Sequence, residues 1–76
     1  MRKVVEILQE IRPEFQFEGV ENFFSEGMLD SFDLVTLVST LDHEYGIHID
    51  GTDILPENFQ NVVAIESLVK RYGVGL

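Results

Sequence analysis

The residues best suited to chemistry in this chain are Asp30, Ser31, Phe32 and Asp33, a serine hydroxyl set between two carboxylates and beside an aromatic ring. Serine acts as a nucleophile when a histidine base and an oxyanion scaffold serve it. Two histidines are present, His43 and His48. Nothing around Ser31 reads as a nucleophile elbow or as a set of oxyanion donors, so a serine hydrolase is excluded. The histidines lie on either side of Gly46, a poor metal pair, and both are expected to face solvent. Asp42, Glu44, Asp50 and Asp53 invite comparison with a calcium loop. The Asp-x-Asp-x-Asn/Asp-Gly run and the closing Glu are missing, so no EF-hand and no metal site is expected. The chain has no cysteine, which removes disulfides and thiolate ligands and fits a reducing cytoplasm. What remains is a serine without catalytic company.

The element that must position this serine is a helix. Asp30 is a good N-cap, Asp33 follows at N3 where negative charge suits the macrodipole, and Gly46 supplies the stop. Leu34, Leu37, Val38, Leu41 and Tyr45 form one apolar stripe at helical spacing. With about 100° per residue and the stripe at zero, Ser31 lies at roughly 60° and Val35 at roughly 100°. Phe32 and Thr36 fall at roughly 160° and 200°, both toward water. A water-facing Phe beside a Ser that helix formation does not require calls for an explanation. One reading is bland: Phe32 folds back onto Met28 and Leu29, and Ser31 is merely tolerated at N1.

The other elements are less sharply marked. Val4, Val5, Ile7, Leu8 and Ile11 predict a first helix over 2–12, which Pro13 ends by disfavouring helical geometry at Arg12. The connection from Pro13 to Leu29 is long for a compact domain. It contains Phe15, Phe17, Val20, Phe23, Phe24, Met28 and Leu29, so it is expected to be ordered and packed, with a helical turn near 22–26. Ile47 and Ile49 alternate with His48 and Asp50, but no partner strand exists, so an extended loop is expected. Pro56 opens a short turn through Phe59. Asn61 caps a last helix with Val62, Ile65, Leu68, Val69 and Tyr72 inward, ending at Gly73. There are no internal repeats or linkers. The expectation is all-α: a single domain over 1–76, a small three-to-four-helix bundle with a long ordered loop between the first and second helices.

Composition narrows the function. Fourteen acids against five bases leave a formal charge of −9 in 76 residues. All the bases lie toward the ends, at Arg2, Lys3, Arg12, Lys70 and Arg71. Such a chain repels phosphate backbones, so nucleic-acid binding is excluded. No apolar run is long enough for a membrane span, and no secretory leader is expected at Met1. The acidic field suits basic partners, although solubility alone explains it as well.

The run Gly27-Met28-Leu29-Asp30-Ser31-Phe32-Asp33 resembles the attachment motif of acyl carrier proteins, a Gly-x-x-Asp-Ser-Leu-type segment opening the second helix. The likeness continues through Leu37, Val38, Leu41, Glu44, Tyr45 and Ile49, then through Asp53-Ile54-Leu55-Pro56-Glu57-Asn58-Phe59 and the last helix. It covers nearly the whole chain. The resemblance implies that Ser31 receives 4′-phosphopantetheine from coenzyme A through a phosphopantetheinyl transferase. An acyl or aminoacyl group is then held as a thioester on the arm. It further implies a loading enzyme, a downstream synthase or transferase, and a cytoplasmic, monomeric, non-enzymatic protein. By the same analogy Asp30, Phe32, Asp33, Val35 and Thr36 are read by partners. Leu41, Ile49, Ile54, Phe59 and Val62 would line a cleft for the acyl chain, or simply pack on one another.

The departures from the pattern point to a dedicated pathway. Phe32 stands where Leu is more usual. Thr36, Ser39, Thr40 and His43 occupy an outer face that is acidic in the carriers of fatty-acid synthesis. The chain looks more like a dedicated carrier loaded with an amino acid or an unusual acyl group, as in the D-alanyl and peptidyl carrier relatives. The alternative is an acidic interaction module of the same fold whose serine is never modified.

Overall fold

The computed structural model describes residues 2–76. Three α-helices form: α1 (Val4–Ile11), α2 (Ser31–Tyr45) and α3 (Val62–Arg71). Two short 3-10 turns, Gly51–Asp53 and Pro56–Asn58, lie between α2 and α3. No strand occurs among the described residues. The fold is therefore all-helical, with α1 packed against both α2 and α3.

Helix α1 is shorter than its periodicity suggests. It ends at Ile11 because Arg12, ahead of Pro13, turns out to φ −136°, ψ 79°. Eight residues are too few for a stable isolated helix, so packing must hold it. Val4, Ile7 and Leu8 are fully buried against Leu37 and Leu41 of α2 and Ile65, Leu68 and Val69 of α3 within one apolar cluster. Of the stripe expected on α2, Leu37 and Leu41 are buried, while Leu34, Val38 and Tyr45 are half-buried at its margin.

The segment between α1 and α2 forms no regular helix. Its aromatic residues supply a wall of the core instead. Phe17 and Phe23 are fully buried with centroids 5.1 Å apart in an edge-to-face arrangement, and Phe15 meets Phe17 the same way at 6.2 Å. Each such ring removes enough apolar surface from water to contribute about 1.5–3 kcal/mol. The Phe23 amide donates to the Gln60 carbonyl at 2.6 Å and the Asn61 amide side chain donates to the Glu21 carbonyl at 2.9 Å. These bonds tie the segment to the start of α3. The helical turn expected near 22–26 reduces to one hydrogen bond from Glu26 to the Asn22 carbonyl within a series of tight turns.

After α2 the chain is steered by caps. Gly46 adopts φ 64°, ψ 37°, the left-handed cap that glycine takes without strain. Asp42 then accepts the Ile49 amide at 3.0 Å on its side chain and the Ile47 amide at 3.1 Å on its carbonyl. This folds 47–50 back over the helix end and consumes the donors a strand would use. The turn at Gly51–Asp53 lies beyond the extended loop expected there; Asp50 starts it by accepting both the amide and the hydroxyl of Thr52. Asn61 caps α3 by accepting the Ala64 amide at 2.7 Å, as expected from its position.

Candidate functional site

The first turn of α2 is closed by a reciprocal capping box. The Asp33 amide donates to Asp30 Oδ1 at 2.9 Å, and the Asp30 amide donates to Asp33 Oδ2 at 3.2 Å. Leu29 just before the cap and Leu34 in the first turn both belong to the apolar cluster, which fixes the angle at which the chain enters the helix. Ser31 is thereby set at the first helical position. It is exposed, and among the described residues its hydroxyl makes no hydrogen bond.

The apolar residues beside it are also uncovered. Phe32 is 84% exposed and Val35 68% exposed, so Phe32 does not fold back into the loop before the helix. Asp30 and Thr36 are exposed and Asp33 is half-buried. Thr36 donates its hydroxyl to the Phe32 carbonyl at 3.2 Å, and Thr40 repeats the pattern onto Thr36 at 2.8 Å. These bonds turn the two hydroxyls back onto the helix. The outer face of α2 beyond Phe32 thus presents methyls, Ser39 and His43, with no carboxylate among its exposed positions until the helix end.

A cation joins the site from another element. Arg12, the C-cap of α1, donates Nε to Asp33 Oδ2 at 3.0 Å and brings Nη2 to the same oxygen at 2.9 Å. Nη2 also stands 3.7 Å from Asp30, and Nη1 is 3.4 Å from Glu14. Asp33 Oδ2 therefore accepts from the cap amide and the guanidinium together. The Asp33 amide holds the Asp30 carboxyl below its ordinary range, and Arg12 lowers it further. The Asp33 carboxylate in turn raises Arg12 above its usual value. Sequence reasoning placed Arg12 only at the end of α1. Its position before Pro13 was a signal that it leaves the helix, but nothing local pointed to Asp33.

The five residues assigned to a cleft lie together in the apolar cluster. Leu41, Ile49 and Phe59 are buried, while Ile54 and Val62 are half-buried and packed against the cluster. A cavity of about 400 Å³ lies elsewhere, lined by Arg2, Lys3, Val4, Glu66, Gly75 and Leu76. Val63 on α3 and Leu55 ahead of the second 3-10 turn are further exposed apolar residues that the inward stripes did not predict.

Comparison with protein families matches the model described as "Phosphopantetheine attachment site" over residues 2–69. The chain belongs to the phosphopantetheine-attachment family. Members carry covalently attached 4′-phosphopantetheine, and they are carrier domains. Comparison with curated proteins and with solved structures finds no match. The residues at the start of α2 fit the family's arm: a hydroxyl without a partner among the described residues, open to solvent, on the first turn of a 15-residue helix. The N-terminal dipole of such a helix favours a phosphodiester. Among the described residues no helix is long and apolar enough to cross a membrane.

Proposed function

We propose that residues 1–76 form one carrier domain that holds an acyl or aminoacyl group for partner enzymes on an arm attached at Ser31. The observation that supports this most directly is the exposed Ser31, its hydroxyl without a bond among the described residues, at the opening of a capped helix in a chain of the phosphopantetheine-attachment family. Attachment forms a bond from Ser31 Oγ to the phosphorus of coenzyme A that bears pantetheine. The pyrophosphate bond breaks, adenosine 3′,5′-bisphosphate leaves, and the serine proton passes to the transferase or solvent. When bound, the arm supplies a terminal thiol that holds cargo as a thioester. The protein's own residues supply address and tether, and the chemistry belongs to the partners.

The partners in this reading are a phosphopantetheinyl transferase, an acyl- or aminoacyl-loading enzyme and a downstream synthase or transferase, meeting a monomeric carrier in the cytoplasm. They read Asp30, Phe32, Asp33, Val35 and Thr36. The uncovered ring of Phe32, and the absence of carboxylates at Thr36, Ser39 and His43 beyond it, support contacts that are more apolar than acidic. That favours a carrier dedicated to one pathway. The buried state of Leu41, Ile49 and Phe59 supports a packing role for the cleft residues while the arm is unloaded. A loaded chain that enters between the helices shifts the NMR resonances of these residues, and the bare arm does not.

The test is intact mass after incubation with coenzyme A and a broad-specificity phosphopantetheinyl transferase, for the parent and Ser31→Ala. The parent gains one phosphopantetheine and the variant gains none. A parent that keeps its translated mass would make the chain an unmodified interaction module and overturn the proposal.

A further inference from the structure

The start of α2 poses an electrostatic problem that Ser31 alone does not solve. A phosphodiester on Ser31 adds a full negative charge beside the two carboxylates that close the capping box. The helix dipole offsets about half a charge at most. From residue 13 to 69 the sequence contains no Lys or Arg. Arg12 is the cation whose ion pairs, among the described residues, reach this helix mouth, and it arrives from the far end of α1.

Its geometry suits more than a structural tie. A guanidinium offers five N–H donors in a planar fork. Here Nε and Nη2 converge on a single oxygen of Asp33, and Nη1 makes only a long approach to Glu14 at 3.4 Å. The side chain keeps 36% of its surface in water. Donors are therefore left over on the side chain that already binds Asp33 and approaches Asp30.

We infer that Arg12 is a positioning residue for the arm: held by Asp33 and Asp30, it offsets the charge that the Ser31-linked phosphate adds and keeps the capping box closed in the modified protein. The inference rests on the reading of Ser31 given above. A purely structural Arg12 would tie α1 to α2 equally well with or without the arm. A positioning Arg12 matters more once the phosphate is present, and that difference is measurable.

The experiment compares melting temperatures of unmodified and phosphopantetheinylated protein for the parent, Arg12→Gln and Arg12→Lys, in low salt and in 0.5 M NaCl, about where exposed charges are well screened. In the parent, adding the arm leaves the melting temperature nearly unchanged. In Arg12→Gln, adding the arm lowers it by about 4 °C more than in the parent, a modest coupling for a domain of this size. Arg12→Lys recovers part of the difference, and high salt shrinks it. The Arg12 Nε–H resonance of the parent also moves when the arm is added. An equal effect of the arm in parent and Arg12→Gln overturns the inference while leaving Ser31 as the attachment site. If Arg12→Gln does not fold, an Nε–H resonance unmoved by the arm overturns it instead. A parent that never gains the arm overturns both readings.

Discussion

Tyr72, one residue past α3, donates its phenolic hydrogen to Asp53 at 2.6 Å and accepts the Asp50 amide at 2.9 Å. One hydroxyl thus fastens the loop after α2 to the end of the last helix. The bond to the Asp53 carboxylate raises the Tyr72 pKa above its ordinary value. A phenol raised by folding contributes stability in full below about pH 10 and loses it as pH rises through the folded value. Melting temperature should therefore fall in the alkaline range. Tyr72→Phe lowers it at neutral pH and makes the alkaline fall shallower. Some fall persists, because burial raises Tyr45 as well. An alkaline limb unchanged in Tyr72→Phe would sink this assignment.

At the acid end the sign reverses. Folding lowers Asp30 through the Asp33 amide, Glu44 through the Arg2 amide and side chain, and Asp50 through the Thr52 amide and hydroxyl. Depressed carboxyls contribute stability above their ordinary pKa of about 4, and it is lost as pH falls through the folded values. Protonation elsewhere relieves the repulsion of a −9 chain, which offsets part of that loss. Denaturant midpoints should hold from pH 7 to about 5 and drop below about 4. Asp30→Asn softens the drop, which titration followed by circular dichroism would show.

Salt separates the repulsive from the attractive charges. Arg2 bridges Glu10 and Glu44, and Arg12 bridges Asp33, Asp30 and Glu14. Salt weakens the exposed pairs, each by a small amount, and the part-buried Arg2–Glu44 and Arg12–Asp33 pairs less. The larger effect is screening of the many unpaired carboxylates, with a Debye length of about 10 Å at 0.1 M. The melting temperature is expected to rise between 10 mM and 0.5 M NaCl, values chosen as roughly the weakly and strongly screened ends. A melting temperature indifferent to ionic strength would show that repulsion is not what limits stability.

Two phenylalanines should respond in opposite ways. Phe59 is fully buried, and Phe59→Ala is expected to destabilise by about 3–5 kcal/mol, a large part of the stability of a small domain. Phe32 and Val35 are exposed, and their alanine variants should shift stability by no more than about 0.5 kcal/mol. Under the proposed function those same variants reduce kcat/KM of a partner enzyme for the loaded carrier by about tenfold, the loss of roughly 1.4 kcal/mol of contact. Steady-state kinetics beside thermal melts checks both halves. A Phe32→Ala variant that melts early would mean the ring packs against the fold after all.

Much of this molecule was legible from local rules. The Asp30 cap, the Gly46 stop, the Asn61 cap and the turn at Pro56 each depend on residues within about one helical turn, where side-chain length and backbone geometry permit few partners. The exposed angle of Phe32 followed from periodicity for the same reason. Other features required the folded chain. Arg12 meets Asp33 across 21 positions, Tyr72 meets Asp53 across 19, and Arg2 meets Glu44 across 42. No spacing rule pairs such residues. Burial of Phe17 and Phe23 draws the long segment across the helices, and packing of α1 on α2 sets the guanidinium beside Ser31's neighbours. Local sequence thus determined a capped helix that opens on an exposed serine. Only the tertiary structure decided that a cation stands at its mouth, because hydrophobic closure of the core brings the two helix ends together.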